Sequence, residues 1–187
     1  MKGGQTMFGK RKEAHTAGSY YAGLDYEQAM RKYADMITRI CIMRCGNTED
    51  AKDCFQNVFI KLYTAEKHFE TEEYLKAWLI QVAIHQCTDY HRQAWNRKVA
   101  LEDDITKLDI HSGKSDEYEE ESELLLMVKK LPDKYKDVLY LYYYEEYSVA
   151  QIAKLLGSNE NTIKSVLKRG RDKIKIMIGG MGNEMVI

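Results

Sequence analysis

The chain has 187 residues, a formal net charge of −1 and 44% hydrophobic residues, which suits one or two globular domains. This near-neutral charge excludes a basic nucleic-acid coat and an acidic disordered protein. The single proline and the lack of alternating strand-like runs predict an all-α fold. The longest apolar stretch, residues 138–144, is far below the roughly 18 residues of a membrane span. Together with the absence of a secretory-signal pattern, this predicts a cytoplasmic protein.

The first half of the chain predicts three helices that share one core. Residues 1–24 combine five glycines with a basic cluster and show no helical period, which predicts a mobile basic tail. From Asp25, apolar residues recur three or four positions apart and predict a first helix that ends near Gly46. A second helix follows, and a third begins after the polar stretch 64–73. We therefore expect a first domain over residues 25–100.

A strongly acidic segment separates the two halves. Residues 102–123 contain ten acidic residues against two lysines, a composition that favours solvated chain over a packed element. The sequence predicts a flexible linker over residues 101–120 and a second helical domain over 121–178, in which Pro132 marks the start of a helix. Residues 179–187 are expected to form a second tail.

The most specific local pattern lies in residues 147–174. Ser148 followed by Gln151 is the signature of a capping box, and Gly157 ends the short helix that this box begins. Asn159 can cap a second helix whose outer face is basic and rich in hydroxyl groups. A short capped helix, a glycine turn and a basic second helix describe a helix-turn-helix.

The second helix of this unit carries the chain's clearest positive patch. Residues 164–175 contain six basic residues and one acidic residue, enough to neutralise several phosphates. The alternative is a solvated basic helix end that suits the helix dipole; the capped unit before it favours DNA contact. The residues that we expect to meet DNA are Thr162, Lys164, Ser165, Lys168, Arg169 and Arg171.

Three segments carry a resemblance to a known family. Residues 131–174 resemble region four of the bacterial sigma factors, residues 50–63 resemble the helix that docks on the polymerase clamp, and residues 75–93 resemble the promoter-melting helix. The pairing of the first-domain segments with the second-domain segment, joined by an acidic segment, resembles the extracytoplasmic-function (ECF) group of the sigma-70 family. The resemblance implies a region 2 helical bundle and a region 4 helix-turn-helix.

The resemblance also implies partners and site residues. A member of this family binds RNA polymerase core, through the clamp of the largest subunit and the flap, and bridges the minus-ten and minus-thirty-five promoter elements. It uses no cofactor, is not an enzyme, and is held inactive by an anti-sigma factor. The implied core-binding residues are Asp53, Gln56 and Asn57, and the implied minus-ten residues are His68, Phe69, Tyr74, Trp78, His85, Arg92, Arg97 and Lys98. The six residues named above would read the minus-thirty-five element.

Other interpretations fit parts of the sequence. A stand-alone helix-turn-helix regulator would bind duplex DNA as a dimer without polymerase. Cys41 and Cys45 could join Cys54 or His85 at a metal, but the paired-cysteine turns of structural zinc sites are missing, so core packing and no metal are expected. A hydrolase built on His85 and Asp89 lacks a matching nucleophile.

Overall fold

The computed structural model describes residues 21–101 and 127–182, and within these ranges the chain is helical apart from turns and two isolated β-bridges. The predicted all-α fold is confirmed for this part of the chain. No helix in it is long and apolar enough to cross a membrane. The acidic linker falls outside the described residues, as do residues 1–20 and 183–187. The helices are α1 (Tyr26–Cys45), α2 (Thr48–Thr64), α3 (Glu72–Leu101), α4 (Asp133–Tyr143), α5 (Val149–Leu155) and α6 (Glu160–Gly182).

Helices α1, α2 and α3 form the first domain, and local signals set their ends. Asp25 and Gln28 make a capping box at the start of α1, with hydrogen bonds of 2.8 and 3.0 Å. Gly46 ends α1 in the left-handed conformation at φ +78°, where a glycine is favoured. The Asn47 side chain then accepts a 2.9 Å bond from the Asp50 backbone and begins α2.

The first domain begins earlier than the sequence predicts. Tyr21 is 4% exposed, and its ring packs 6.2 Å from that of Phe69. Its hydroxyl donates a 3.3 Å bond to the carbonyl of Leu62, and the backbone N–H of Ala22 donates to the carbonyl of Phe69. The prediction of a mobile tail over residues 1–24 is therefore wrong for its last four residues, because Tyr21 fills a gap in the core that residues 25–100 leave open.

The second domain packs α4 and α5 against the long helix α6. Pro132 precedes α4, where its missing N–H costs nothing. The predicted capping box of Ser148 and Gln151 begins α5, and Gly157 follows with φ +61°. A Cβ added at Gly170 would lie 3.0 Å from Leu139, so this glycine allows α4 and α6 to approach closely. Helix α6 extends to Gly182 and so passes the predicted domain boundary at residue 178.

The two domains contact each other through a buried ion pair, which we call the interdomain lock. The guanidinium of Arg44 on α1 donates to both carboxylate oxygens of Asp137 on α4 at 2.6 Å, and to the hydroxyl of Thr88 at 2.7 Å. Lys136 donates to the carbonyl of Met43 at 3.0 Å. Farther along, Gln81 on α3 donates a 2.7 Å bond to the carbonyl of Leu155 at the end of α5. These contacts hold the domains in a closed arrangement.

Burial opposes both charges of the lock. It raises the pKa of Asp137 above its ordinary value despite the attraction of Arg44. Burial also lowers the pKa of Arg44, but Asp137, Asp133 and Cys87 outweigh it and hold that pKa above its ordinary value. A desolvated pair of this kind contributes little net stability while complete and is costly to break on one side.

Candidate polymerase and promoter interfaces

The predicted polymerase-binding residues share one exposed face of α2. Asp53, Gln56 and Asn57 are all exposed, while the apolar stripe of the helix faces the core. Their spacing of three and four residues places them side by side. Ile60 continues the same face and is 56% exposed, a feature that the sequence analysis missed. These four residues define the α2 surface, an acid and two amides beside one apolar side chain.

The predicted minus-ten residues divide between surface and core. His68 and Tyr74 are exposed, with Tyr74 at 43%, and Trp78 is half-buried. Phe69 is fully buried, with its ring 5.2 Å from Trp78 and 5.5 Å from Tyr74. The prediction that Phe69 offers its face to a base is therefore corrected, because Tyr21 and these rings enclose it. Its role is to support the aromatic residues that reach the surface.

A basic residue that the sequence analysis did not single out lies beside this aromatic group. The ammonium of Lys67 is 4.8 Å from the centre of the Tyr74 ring, within the range of a cation–π contact. It adds a positive charge next to the exposed ring face. An aromatic face beside a lysine can stack a base and meet its phosphate.

Helix α3 carries the remaining minus-ten residues toward its basic end. His85 and Arg92 are exposed, and Arg92 forms a 3.1 Å ion pair with Asp89, three residues earlier. An exposed pair of this kind contributes little stability and leaves the guanidinium able to exchange partners. Arg97 and Lys98 belong to α3, but their side chains lie outside the described residues.

We expect Phe69 and Tyr74 to respond differently to truncation. Phe69→Ala removes a fully buried ring and should lower the free energy of unfolding by about 3–5 kcal/mol. Tyr74→Ala removes a partly exposed ring and should leave stability nearly unchanged while weakening binding to single-stranded minus-ten DNA. Thermal unfolding and fluorescence anisotropy measure the two effects. A Phe69→Ala protein of wild-type stability would contradict the buried assignment.

The predicted minus-thirty-five residues all lie on the exposed face of α6. Asn159 accepts a 2.8 Å bond from the backbone N–H of Thr162 and so fixes the helix start. Ile163 and Leu167 are buried against α4 and α5, which turns the opposite face outward. The residues that the structure places on this exposed face are Thr162, Lys164, Ser165, Lys168, Arg169 and Arg171. These side chains point outward as predicted, and their contact with DNA stays a prediction.

An apolar cavity of about 260 Å³ lies beside the basic face. Leu139, Tyr143 and Tyr144 line it from α4 and the residue after it, and Ile174 and Arg171 line it from α6. Tyr143 is 50% exposed and Tyr144 is 41% exposed. Since these rings frame an open apolar pocket, the second domain offers an apolar surface as well as a basic one.

Comparison with known proteins agrees with these two domains. The model of sigma-70 region 2 matches residues 29–97, and the model of sigma-70 region 4 matches residues 121–174. The RNA polymerase sigma factor SigV of Bacillus subtilis is 26% identical over 140 residues, with 75% of this chain and 82% of SigV covered. The ECF sigma factor SigM of the same organism is 27% identical, with 81% of this chain and 93% of SigM covered.

Two solved structures share the fold. One is the sigma factor RpoE in complex with the anti-sigma factor NepR from Bartonella quintana, with a TM-score of 0.61, 19% identity, and 82% of this chain and 96% of that chain covered. The other is CnrH with the cytosolic domain of CnrY, with a TM-score of 0.57, 16% identity, and 83% and 88% covered. A stand-alone regulator needs no region 2, whereas residues 29–97 match one. The chain belongs to the sigma-70 family and is an ECF sigma factor, which directs promoter-specific initiation by RNA polymerase.

Proposed function

We propose that the α2 surface is the part of this sigma factor that binds the clamp of the largest polymerase subunit. The observation that carries this proposal is the exposure of Asp53, Gln56, Asn57 and Ile60 on one face of α2. None of them fills the core of the first domain, so their side chains are available to a partner. An acid and two amides can pair with a basic helical surface, and an apolar side chain adds desolvated contact area.

We place the promoter contacts on two other surfaces, one on the first domain and one on α6 of the second domain. His68, Tyr74, Trp78 and Lys67 offer stacking faces and a charge to an unstacked minus-ten base. Farther along α3, His85, Arg92, Arg97 and Lys98 would hold the backbone of the melted strand. The exposed face of α6 would enter the major groove of the minus-thirty-five element, with Thr162, Lys164 and Ser165 near the bases. Lys168, Arg169 and Arg171 would neutralise phosphates.

The apolar cavity of the second domain is our proposed site for the polymerase flap. Tyr143 and Ile174 frame an opening that an apolar helix or loop tip can fill. Arg171 stands at its edge, so flap binding and promoter binding would meet at one residue. The closed arrangement must open for all these contacts to form, because Tyr74 and Trp78 share a cavity of about 590 Å³ with Tyr147 of the second domain.

Regulation and location are part of the same proposal. One of the two solved structures that share this fold is a sigma factor in complex with an anti-sigma factor, and the other is CnrH in complex with the cytosolic domain of CnrY. We infer that an anti-sigma factor also holds this chain inactive, in the cytoplasm where polymerase works. The chain itself performs no covalent chemistry; polymerase supplies it. We place the region 2 domain from residue 21 or earlier to about residue 100, and the region 4 domain from about residue 121.

Binding to purified bacterial core polymerase tests the α2 surface. The Asp53→Ala/Gln56→Ala variant should bind core at least tenfold more weakly than the wild type, since each lost polar contact at an interface costs about 1 kcal/mol or more. Asp35→Ala, which removes an exposed acid from α1, is the matched control and should bind like the wild type. Fluorescence anisotropy of a labelled chain measures both affinities. Equal affinities for the double variant and the wild type would place the clamp contact elsewhere.

A further inference from the structure

All four cysteines of the chain are buried in the first domain. They come from three helices that are distant in sequence: Cys41 and Cys45 on α1, Cys54 on α2 and Cys87 on α3. The sulfur atoms of Cys45, Cys54 and Cys87 all lie within 4.8 Å of one another, and those of Cys45 and Cys54 are 3.6 Å apart. We call these three residues the thiol cluster.

The spacing of the thiol cluster matches that of metal-bound thiolates. Four-coordinate zinc holds each sulfur at about 2.3 Å, which places two ligand sulfurs roughly 3.8 Å apart in a tetrahedron. The 3.6 Å between the sulfurs of Cys45 and Cys54 lies close to this value, and the other two separations do not exceed 4.8 Å. His85, which the sequence analysis weighed as a partner, is exposed, and neither His85 nor His91 lies within 4.8 Å of all three sulfurs.

A histidine lies on the same side of α3 as the thiol cluster. His91 follows Cys87 by four residues, which places both on one face of the helix. Its Nε2 lies 3.0 Å from the carbonyl oxygen of Arg44, next to Cys45 in sequence. When Nε2 donates its proton to that carbonyl, Nδ1 keeps a lone pair that a metal ion can use.

A buried positive charge lies beside the thiol cluster. The guanidinium of Arg44 is buried beside Cys87, and its Nε has no hydrogen-bond partner among the described residues. Three thiolates around a divalent ion leave one net negative charge, which would add to that of Asp137 beside the same guanidinium.

We propose that Cys45, Cys54 and Cys87 bind one Zn²⁺ ion in the core of the first domain, with His91 as the fourth ligand. This site would join the end of α1 to the interiors of α2 and α3, and it would fix the helix that carries the α2 surface. The alternative is that the thiols pack as small apolar groups without an ion. The zinc site does not depend on what the α2 surface binds, so it is tested separately.

Metal content of the full-length chain, purified without chelator, is the first readout. We expect about one zinc per chain by mass spectrometry, and a lower Tm after removal of the metal by a chelator, because an ion bound only to the folded state stabilises it. Titration of the metal-free chain with Co²⁺ should give thiolate-to-cobalt charge-transfer bands and the intense visible bands of a tetrahedral site. A chain without zinc and without these bands would overturn the proposal.

Variants assign the ligands. Cys54→Ala and Cys87→Ala should each lose the cobalt bands, and His91→Ala should weaken and shift them. Cys41→Ala, which removes the fourth buried thiol, is the matched control and should retain one zinc. Circular dichroism tests whether each variant is folded. If a variant does not fold, the zinc content and cobalt spectrum of the wild-type chain still test the proposal. The proposed ligand set would be overturned if folded Cys54→Ala and Cys87→Ala retained zinc. It would also be overturned if Cys41→Ala lost zinc while His91→Ala kept it.

Discussion

Replacing both Lys168 and Arg169 with alanine is expected to weaken binding of minus-thirty-five duplex DNA by about tenfold to hundredfold at 0.1 M salt. Both side chains are exposed on the basic face of α6, and each phosphate contact contributes about 0.9 to the slope of log affinity against log salt. The double variant should therefore show a slope that is shallower by about two. Anisotropy titrations at several salt concentrations measure affinity and slope together.

The control for this experiment removes the same charge from the other domain. Lys52→Ala/Lys61→Ala lowers the net charge by two on the exposed side of α2 and should leave both affinity and slope unchanged. An equal loss in the two double variants would mean that only the net charge of the chain matters. Unchanged binding in Lys168→Ala/Arg169→Ala at every salt concentration would contradict the assignment of α6 as the recognition helix.

The second large effect is expected at the interdomain lock. Asp137→Ala removes the carboxylate that accepts two 2.6 Å bonds from the buried guanidinium of Arg44, which then keeps the 3.5 Å contact with Asp133. Removing one partner of a buried ion pair costs about 3–5 kcal/mol. Separation of the domains relieves this cost, because Arg44 then becomes solvated while each domain keeps its own core. We therefore expect the variant to open instead of unfolding, with a larger radius of gyration by small-angle X-ray scattering and an unchanged helical content.

Asp172→Ala serves as the control for the lock. Asp172 is an exposed acid on α6 that takes no part in the Arg44 contact, so its loss should leave the radius of gyration at the wild-type value. An open Asp137→Ala chain should also bind minus-ten DNA more tightly, because Tyr74 and Trp78 no longer face Tyr147 across the shared cavity. A compact Asp137→Ala chain would show that the remaining interdomain contacts suffice without the ion pair.

The parts of the fold that the sequence predicts correctly depend on local signals. Asp25, Ser148 and Asn159 each carry a side chain that caps the backbone three residues later, so a short window of sequence contains the whole interaction. The same holds for Gly46 and Gly157, whose positive φ ends a helix. Helical periodicity also predicts that the α2 surface and the basic face of α6 point outward, because the apolar residues that form the core recur on the opposite face of each helix.

The parts that the sequence does not predict depend on contacts between distant segments. Phe69 stands in a polar stretch and resembles an exposed aromatic residue, yet Tyr21, from a segment without helical period, covers it. Arg44 finds Asp137 at a separation of 93 residues, and no local pattern marks this pair. The thiol cluster likewise forms only because three helices cross at one point. Contacts of this kind form between segments that are far apart in the sequence, so no periodic pattern in the sequence marks them.

Run-off transcription by purified bacterial core polymerase, with and without this protein, tests the central claim most directly. On genomic promoter fragments, the wild-type chain should produce discrete transcripts that core alone does not make, and Asp35→Ala should match it. Asp53→Ala/Gln56→Ala should lose these transcripts at equal concentration while it still binds the minus-thirty-five duplex. Duplex binding by the wild-type chain without any transcript from its cognate core polymerase would contradict the account of a sigma factor that acts through α2.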